Sequence, residues 1–297
     1  MVAVGRLITA MVTPFDDDGE VSYSQARRLA RSLLDSGSDG LVVSGTTGES
    51  PNLSTDEKLR LFSELKDELG NDGSIVAGTG NYSTAESIEL TQEAEKQGVD
   101  AALLVVPYYN KPTQDGLYKH FRAIAESTSL PCILYNVPSR TVTNLSHETV
   151  VSLSAIDNII GVKEASGDFD QITRIISGAS NGFNVWSGND NDTFGIMCLG
   201  GYGVISVASH LIGVQIKDMI KLILEGKTTD AASEHIRLLE MFKGLFTISN
   251  PMPVRYGLQH IGFDIGSPRL PLTDPDPETA KQITELLRSY KIDFPVE

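Results

Sequence analysis

The sequence predicts an α/β fold of the (β/α)8 class, a TIM barrel followed by a C-terminal helical extension. Three observations predict it. Eight short apolar runs recur along the chain, segments of helical periodicity separate them, and no glycine-rich phosphate loop follows the first run. Such a loop would announce an open doubly wound sheet. Its one candidate, Gly78-Thr79-Gly80, has Ser83 where a third glycine belongs and follows the third run, so no dinucleotide site is expected.

The runs are LITAMVT from Leu7, GLVVSG from Gly40, SIVAGTG from Ser74, AALLVV from Ala101, CILYN from Cys132, IIGVKEA from Ile159, FNVWSG from Phe183 and GVISVAS from Gly203. They are nearly continuous rather than alternating in polarity, as expected of parallel strands buried on both faces. Residues 25–34 and 85–96 show the helical spacing between them. Three helix starts carry a hydroxyl with an acid or amide three residues on, the pattern of a capping box: Ser22 with Gln25, Ser54 with Glu57 and Ser83 with Glu86. After Leu211 the chain reads as helical throughout, over residues 215–225, 229–247, 252–260 and 278–290. No Ser/Gly-rich linker precedes this region, and Pro251, Pro253 and the PRLPLTDPDP stretch punctuate it rather than disconnect it. The expected organisation is therefore a barrel over residues 1–225 with a packed helical extension over 226–297.

Composition narrows the partners. Of the 297 residues, 40% are hydrophobic and 21% charged, enough apolar material for a sizeable core. The net charge of -15 repels phosphate backbones and anionic head groups, so neither nucleic acid nor membrane is an expected partner. No apolar run reaches the roughly 18 residues a spanning helix needs. The N-terminal MVAVGRLITAMVTPF lacks the charged region and small-residue cleavage pattern of a signal peptide. Cys132 and Cys198 each sit in an apolar run, away from any CxxC, which predicts two buried free thiols and a cytoplasmic location.

A barrel of this class carries its chemistry at the carboxyl ends of the strands. There, Lys163 stands inside IIGVKEA, where desolvation would favour the neutral amine that attacks a ketone. By alternation Gly161, Lys163 and Ala165 share one face, and Ile160, Val162 and Glu164 the other, which removes Glu164 as a partner for the lysine. The competing reading is a lysine snorkelling to the rim or held in a structural ion pair. Tyr135 closes the neighbouring run and can move a proton beside the amine without adding negative charge; Thr46 and Thr47 in SGTTGES could hydrogen-bond to it. Taken singly, a rim tyrosine with its hydroxyl in water and an ordinary helix-entry turn explain these residues better. The tandem Tyr108 and Tyr109 follow the fourth run, and Arg140 in YNVPSRT suits a bidentate grip on a carboxylate. The acids of DNDTFG and FDDDGE do not keep calcium-loop spacing, and His120, His147, His210, His235 and His260 form no HExxH, so neither metal nor cofactor is expected.

Taken together, GTTGES (45–50), VVPYYNKP (105–112), YNVPSRT (135–141), GVKEASGD (161–168), SGND (187–190), GVISVAS (203–209), NPMPVR (250–255) and PRLPL (268–272) resemble the dihydrodipicolinate synthase family of pyruvate-dependent class I aldolases over residues 5–290. The resemblance implies a lyase that condenses pyruvate with L-aspartate 4-semialdehyde through a Schiff base on Lys163, in lysine and diaminopimelate biosynthesis. It implies that Thr46, Tyr135 and Tyr109 relay protons, Tyr109 reaching into a neighbouring subunit of a homotetramer built from tight dimers. Thr47 would bind the pyruvate carboxylate, Gly188 and Ile205 would line the pocket through backbone groups, and Arg140 would hold the semialdehyde carboxylate. The alternative is another aldolase of the superfamily acting on a sugar-derived 2-oxo acid, from which Arg140 sets this chain apart; Ser139 replaces the glycine usual before that arginine. Relatives that bind lysine as an inhibitor do so through residues equivalent to Ser50, Glu86 and Tyr108 plus two histidines and an asparagine. Here Thr55, Lys58 and Tyr82 stand at the latter three positions, which implies weak or absent inhibition.

Overall fold

The computed structural model describes residues 4–295; the first three residues of the N-terminal stretch and the last two of the extension lie outside it. Eight parallel strands close into a barrel in sequence order: β1 Leu7–Ala10, β2 Gly40–Val43, β3 Ser74–Gly78, β4 Ala101–Val105, β5 Cys132–Asn136, β6 Ile159–Glu164, β7 Asn184–Ser187 and β8 Gly203–Ser206, with β8 pairing back onto β1. Each coincides with one of the apolar runs. Around them lie α1 Tyr23–Asp35, α2 Thr55–Leu69, α3 Thr84–Lys96, α4 Gln114–Ala125, the short α5 Pro138–Thr141, α6 His147–Leu153, α7 Phe169–Gly178, α8 Thr193–Cys198 and α9 Ser209–Leu224. Helices α10 Thr228–Gly244, α11 Met252–His260 and α12 Pro277–Arg288 complete the chain. The expected TIM barrel with C-terminal helices is what forms.

Two apolar clusters explain why the strands read as continuous runs. Ile8, Val42, Val76, Ile133 and Ile205 fill the barrel interior, while their neighbours Leu7, Leu41, Ile75 and Leu134 face the helices. Trp186 plugs the interior and donates its indole N–H to the Gly5 carbonyl at 3.0 Å. Gly161 makes room for it: a Cβ there would stand 2.6 Å from a carbon of the indole ring.

Three local expectations need correction. Only Ser54 forms a complete capping box, its hydroxyl accepting from the Glu57 N–H and the Glu57 carboxylate accepting from the Ser54 N–H. Ser83 accepts from the Glu86 N–H, but its own N–H goes to Asn81, and Ser22 makes no side-chain cap. In β6 the register against β5 slips by one residue, Cys132 pairing with Ile159 and Ile133 with Gly161. Ile160 therefore joins the barrel interior instead of sharing the outer face with Val162 and Glu164; from Gly161 onward the alternation holds. Finally, Cys132 is buried but Cys198 is exposed, because α8 ends there and turns its last residue outward.

The extension is bound to the barrel by arginines. Arg255 on α11 is wholly buried, donates to the carbonyls of Thr13, Ile265 and Gly266, and pairs with Glu49 at 3.1 Å. Arg269 pairs with Glu57 at 2.6 Å and donates to the carbonyls of Gly19 and Asn52. Glu49 sits in a left-handed conformation at φ 56°, as does Ser44 at φ 57°. The loop between them carries backbone strain that β-branched Thr46 and Thr47 do not have to share, and the Arg255 pair is positioned to hold it.

Candidate active site

Lys163 is 6% exposed and points into the barrel mouth from the fourth residue beyond the register slip's start at Ile159. Its cross-strand neighbours are Tyr135 on β5 and Trp186 on β7. The ammonium nitrogen lies 4.4 Å from the centroid of the Tyr135 ring. Burial lowers the lysine pKa to about 8, with the Asp190 carboxylate pulling it up and the Arg140 guanidinium pushing it down. Glu164, next in sequence, faces the other way. Its carboxylate accepts from the Ser166 N–H at 2.7 Å and from the side-chain amides of Asn136 and Gln171, so it is satisfied outside the barrel interior.

Tyr135 is buried, and burial raises its pKa, so the phenol keeps its proton; Arg140 and the Thr46 hydroxyl offset part of the rise. Thr46 and Thr47 come from the loop that follows β2. Thr47 is buried, and its hydroxyl accepts a 2.9 Å hydrogen bond from the side-chain amide of Asn250. Arg140 stands on α5, where it donates to the Asn250 backbone carbonyl at 3.1 Å.

These side chains converge. A cavity of about 630 Å³ is lined by Thr46, Thr47, Tyr135, Arg140, Lys163 and Gly188, together with Asn189, Val207 and the segment 246–250. Gly188 is required there: its N–H donates to the Glu164 carbonyl at 2.7 Å, and a Cβ would stand 2.7 Å from that of Ala165. A second cavity of about 230 Å³ adjoins it through Thr46, Tyr135 and Arg140 and adds Ser44, Ser50 and Tyr108. Two predicted residues lie elsewhere. Ile205 is buried in the interior of β8 and is not among the lining residues, and Tyr109 is 93% exposed at φ 70°, away from its own chain's cavity.

Sequence reasoning missed two residues. Asp190, which the sequence shows in a failed calcium loop and in the SGND motif without a role of its own, is a buried carboxylate accepting from the Ser206 hydroxyl and from the N–H groups of Val207 and Ala208 at 3.1 Å. Asn250 stands in the NPMPVR motif, with no role assigned to it from the sequence. Neither carries a local signal, since each acts on residues remote in sequence. Of the histidines, His120 and His210 are held neutral by burial, with pKa values of about 4, and His210 is spent on the Val207 carbonyl and the Val12 N–H. Among the described residues no group of three or more His, Cys, Asp or Glu is arranged to hold a metal ion, and no helix is long and apolar enough to cross a membrane.

Residues 3–290 match the model of the dihydrodipicolinate synthetase family. The chain belongs to that family. A 4-hydroxy-tetrahydrodipicolinate synthase of Dehalococcoides mccartyi is 58% identical over 297 residues, the whole of both chains. Among solved structures, a dihydrodipicolinate synthase from Bacillus anthracis is 43% identical with a TM-score of 0.95, covering 98% of this chain and 99% of that one. One from Cyanidioschyzon merolae with lysine bound is also 43% identical, with a TM-score of 0.94 and coverage of 96% and 97%. The family and fold expected from the motifs are thus borne out.

Proposed function

We propose that the chain condenses pyruvate with L-aspartate 4-semialdehyde to give 4-hydroxy-tetrahydrodipicolinate, in lysine and diaminopimelate biosynthesis. The observation that carries this reading is Lys163, a desolvated amine over the Tyr135 ring in a cavity that also holds Thr47 and Arg140. The neutral amine attacks the pyruvate ketone, and the carbinolamine loses water to become an imine. A methyl proton then leaves, and the resulting enamine attacks the aldehyde. The amine of the second substrate displaces Lys163 by transimination and closes the ring, so that the two substrates yield one product and one water.

Each proton needs a carrier. Tyr135 supplies one, with Thr46 beside it. Thr47 grips the pyruvate carboxylate beside the backbone of Gly188, and Arg140, which lines both cavities, takes the carboxylate of the semialdehyde. Tyr109 completes the relay in the site of a second copy, within a homotetramer of tight dimers; its almost complete exposure in a left-handed loop supports that role. The unpaired thiols of Cys132 and Cys198 support a cytoplasmic location.

Borohydride reduction in the presence of pyruvate tests the nucleophile, because it fixes the imine as a mass increase on Lys163. Initial rates with aspartate semialdehyde, glyceraldehyde and N-acetylmannosamine then test the second substrate. Faster turnover of either sugar-derived aldehyde would replace this reading with that of a sugar-acid aldolase.

A further inference from the structure

Asn250 comes from the helical extension, 203 residues along the chain from Thr47, yet its side chain is directed at that residue. It is 5% exposed, lines the larger cavity, and offers its backbone carbonyl to Arg140. Its side-chain oxygen is buried and has no hydrogen-bond partner among the described residues. A buried amide left half-satisfied is a poor device for stability, because the unpaired oxygen loses its water and gains nothing. The half that is satisfied makes a single bond, to the Thr47 hydroxyl.

That bond has a direction. A threonine hydroxyl has one hydrogen to give and lone pairs to receive. The Asn250 amide has N–H groups only on its nitrogen, and that nitrogen faces Thr47 Oγ1 at 2.9 Å, so Thr47 is the acceptor. With a lone pair taken by Asn250, the Thr47 hydrogen remains free for another acceptor. We propose that Asn250 is a positioning residue that fixes the polarity of the Thr47 hydroxyl, so that its hydrogen is presented to the substrate carboxylate in the cavity. The extension thereby sets the anion affinity of a barrel loop. The proposal rests on the assignment of Thr47 to the pyruvate carboxylate.

The test is a double-mutant cycle on pyruvate KM, read with semialdehyde saturating, using Asn250→Ala, Asn250→Asp and Thr47→Val. Asn250→Ala frees the hydroxyl to rotate and raises KM by about threefold, whereas the isosteric Asn250→Asp accepts the Thr47 hydrogen and turns lone pairs toward the anion, raising KM by about thirtyfold. A packing role predicts the opposite order, since the truncation would then be the harsher change. In the Thr47→Val background both Asn250 substitutions leave pyruvate KM unchanged. An added negative charge acting directly on pyruvate would persist in that background and would overturn the proposal, as would an Ala variant more impaired than the Asp variant. Should Asn250→Ala fail to fold, the comparison of Asn250→Asp with and without Thr47→Val decides the matter alone. If Thr47→Val by itself leaves pyruvate KM unchanged, the assignment of Thr47 is what fails, and the two failures are told apart.

Discussion

Lys163 has an aromatic face on one side, a buried carboxylate acting on it from Asp190 and a guanidinium acting from Arg140. Burial dominates these influences and leaves the amine with a pKa of about 8, so a useful fraction is neutral near physiological pH. The rate of borohydride-trappable imine formation at saturating pyruvate should rise with pH and level off above about 8, whereas a solvated lysine would keep climbing toward its ordinary value of 10.5. Asp190 is the group that holds the lysine up. Replacing it with asparagine removes that negative charge, destabilises the ammonium further and moves the inflection below that of the unaltered protein. Timed quenching and mass analysis at a series of pH values measures both; an inflection that stays put or moves upward in Asp190→Asn would show that another charge governs the amine.

At the scale of elements, the same serine-based sequence pattern led to three different outcomes, which makes stability a direct readout. Ser54 caps α2 reciprocally with Glu57, while Ser22 before α1 makes no cap. Ser54→Ala should therefore cost about 1 kcal/mol, and Ser22→Ala should stay within about 0.5 kcal/mol of the unaltered protein, as judged by urea denaturation midpoints. Equal losses would mean that the cap geometry does not matter. The contrast also shows what the sequence could disclose. The eight strands were legible because a parallel strand covered on both faces must be apolar along its length, and that leaves a compositional mark. Lys163 was legible because it breaks such a run. The register slip at Ile160 was not, because an inserted residue changes pairing without changing composition. The partners of Asn250 and Arg255 were equally silent: Thr47 and Glu49 lie some two hundred positions away, and only closure of the barrel with its extension brings them together.

The whole molecule raises the question of what covers the residues it leaves outside. Lys58 on α2 is half-buried, and burial lowers its pKa from the ordinary lysine value while Glu86 offsets part of the fall; Tyr82 stands edge-on to Tyr108 at 5.3 Å. This cluster already contains its own ammonium group, so a free amino acid arriving there would meet a like charge. Steady-state rates should accordingly be insensitive to micromolar lysine, and half-inhibition in that range would refute the argument. Tyr109 poses the sharper case. A phenol that is 93% exposed cannot serve its own chain's lysine from outside the cavity, so its catalytic use requires a second copy. Lys163→Ala has no nucleophile but an intact Tyr109, and Tyr109→Phe has the reverse. Each should be nearly inactive alone. In a hybrid made by mixing and reassembling the two, one site combines the intact lysine of the Tyr109→Phe chain with the intact tyrosine of its neighbour, so activity should return to a sizeable fraction of normal. If the tyrosine acted within its own chain, no combination of these subunits could restore a complete site, and the mixture would stay as inactive as its parents.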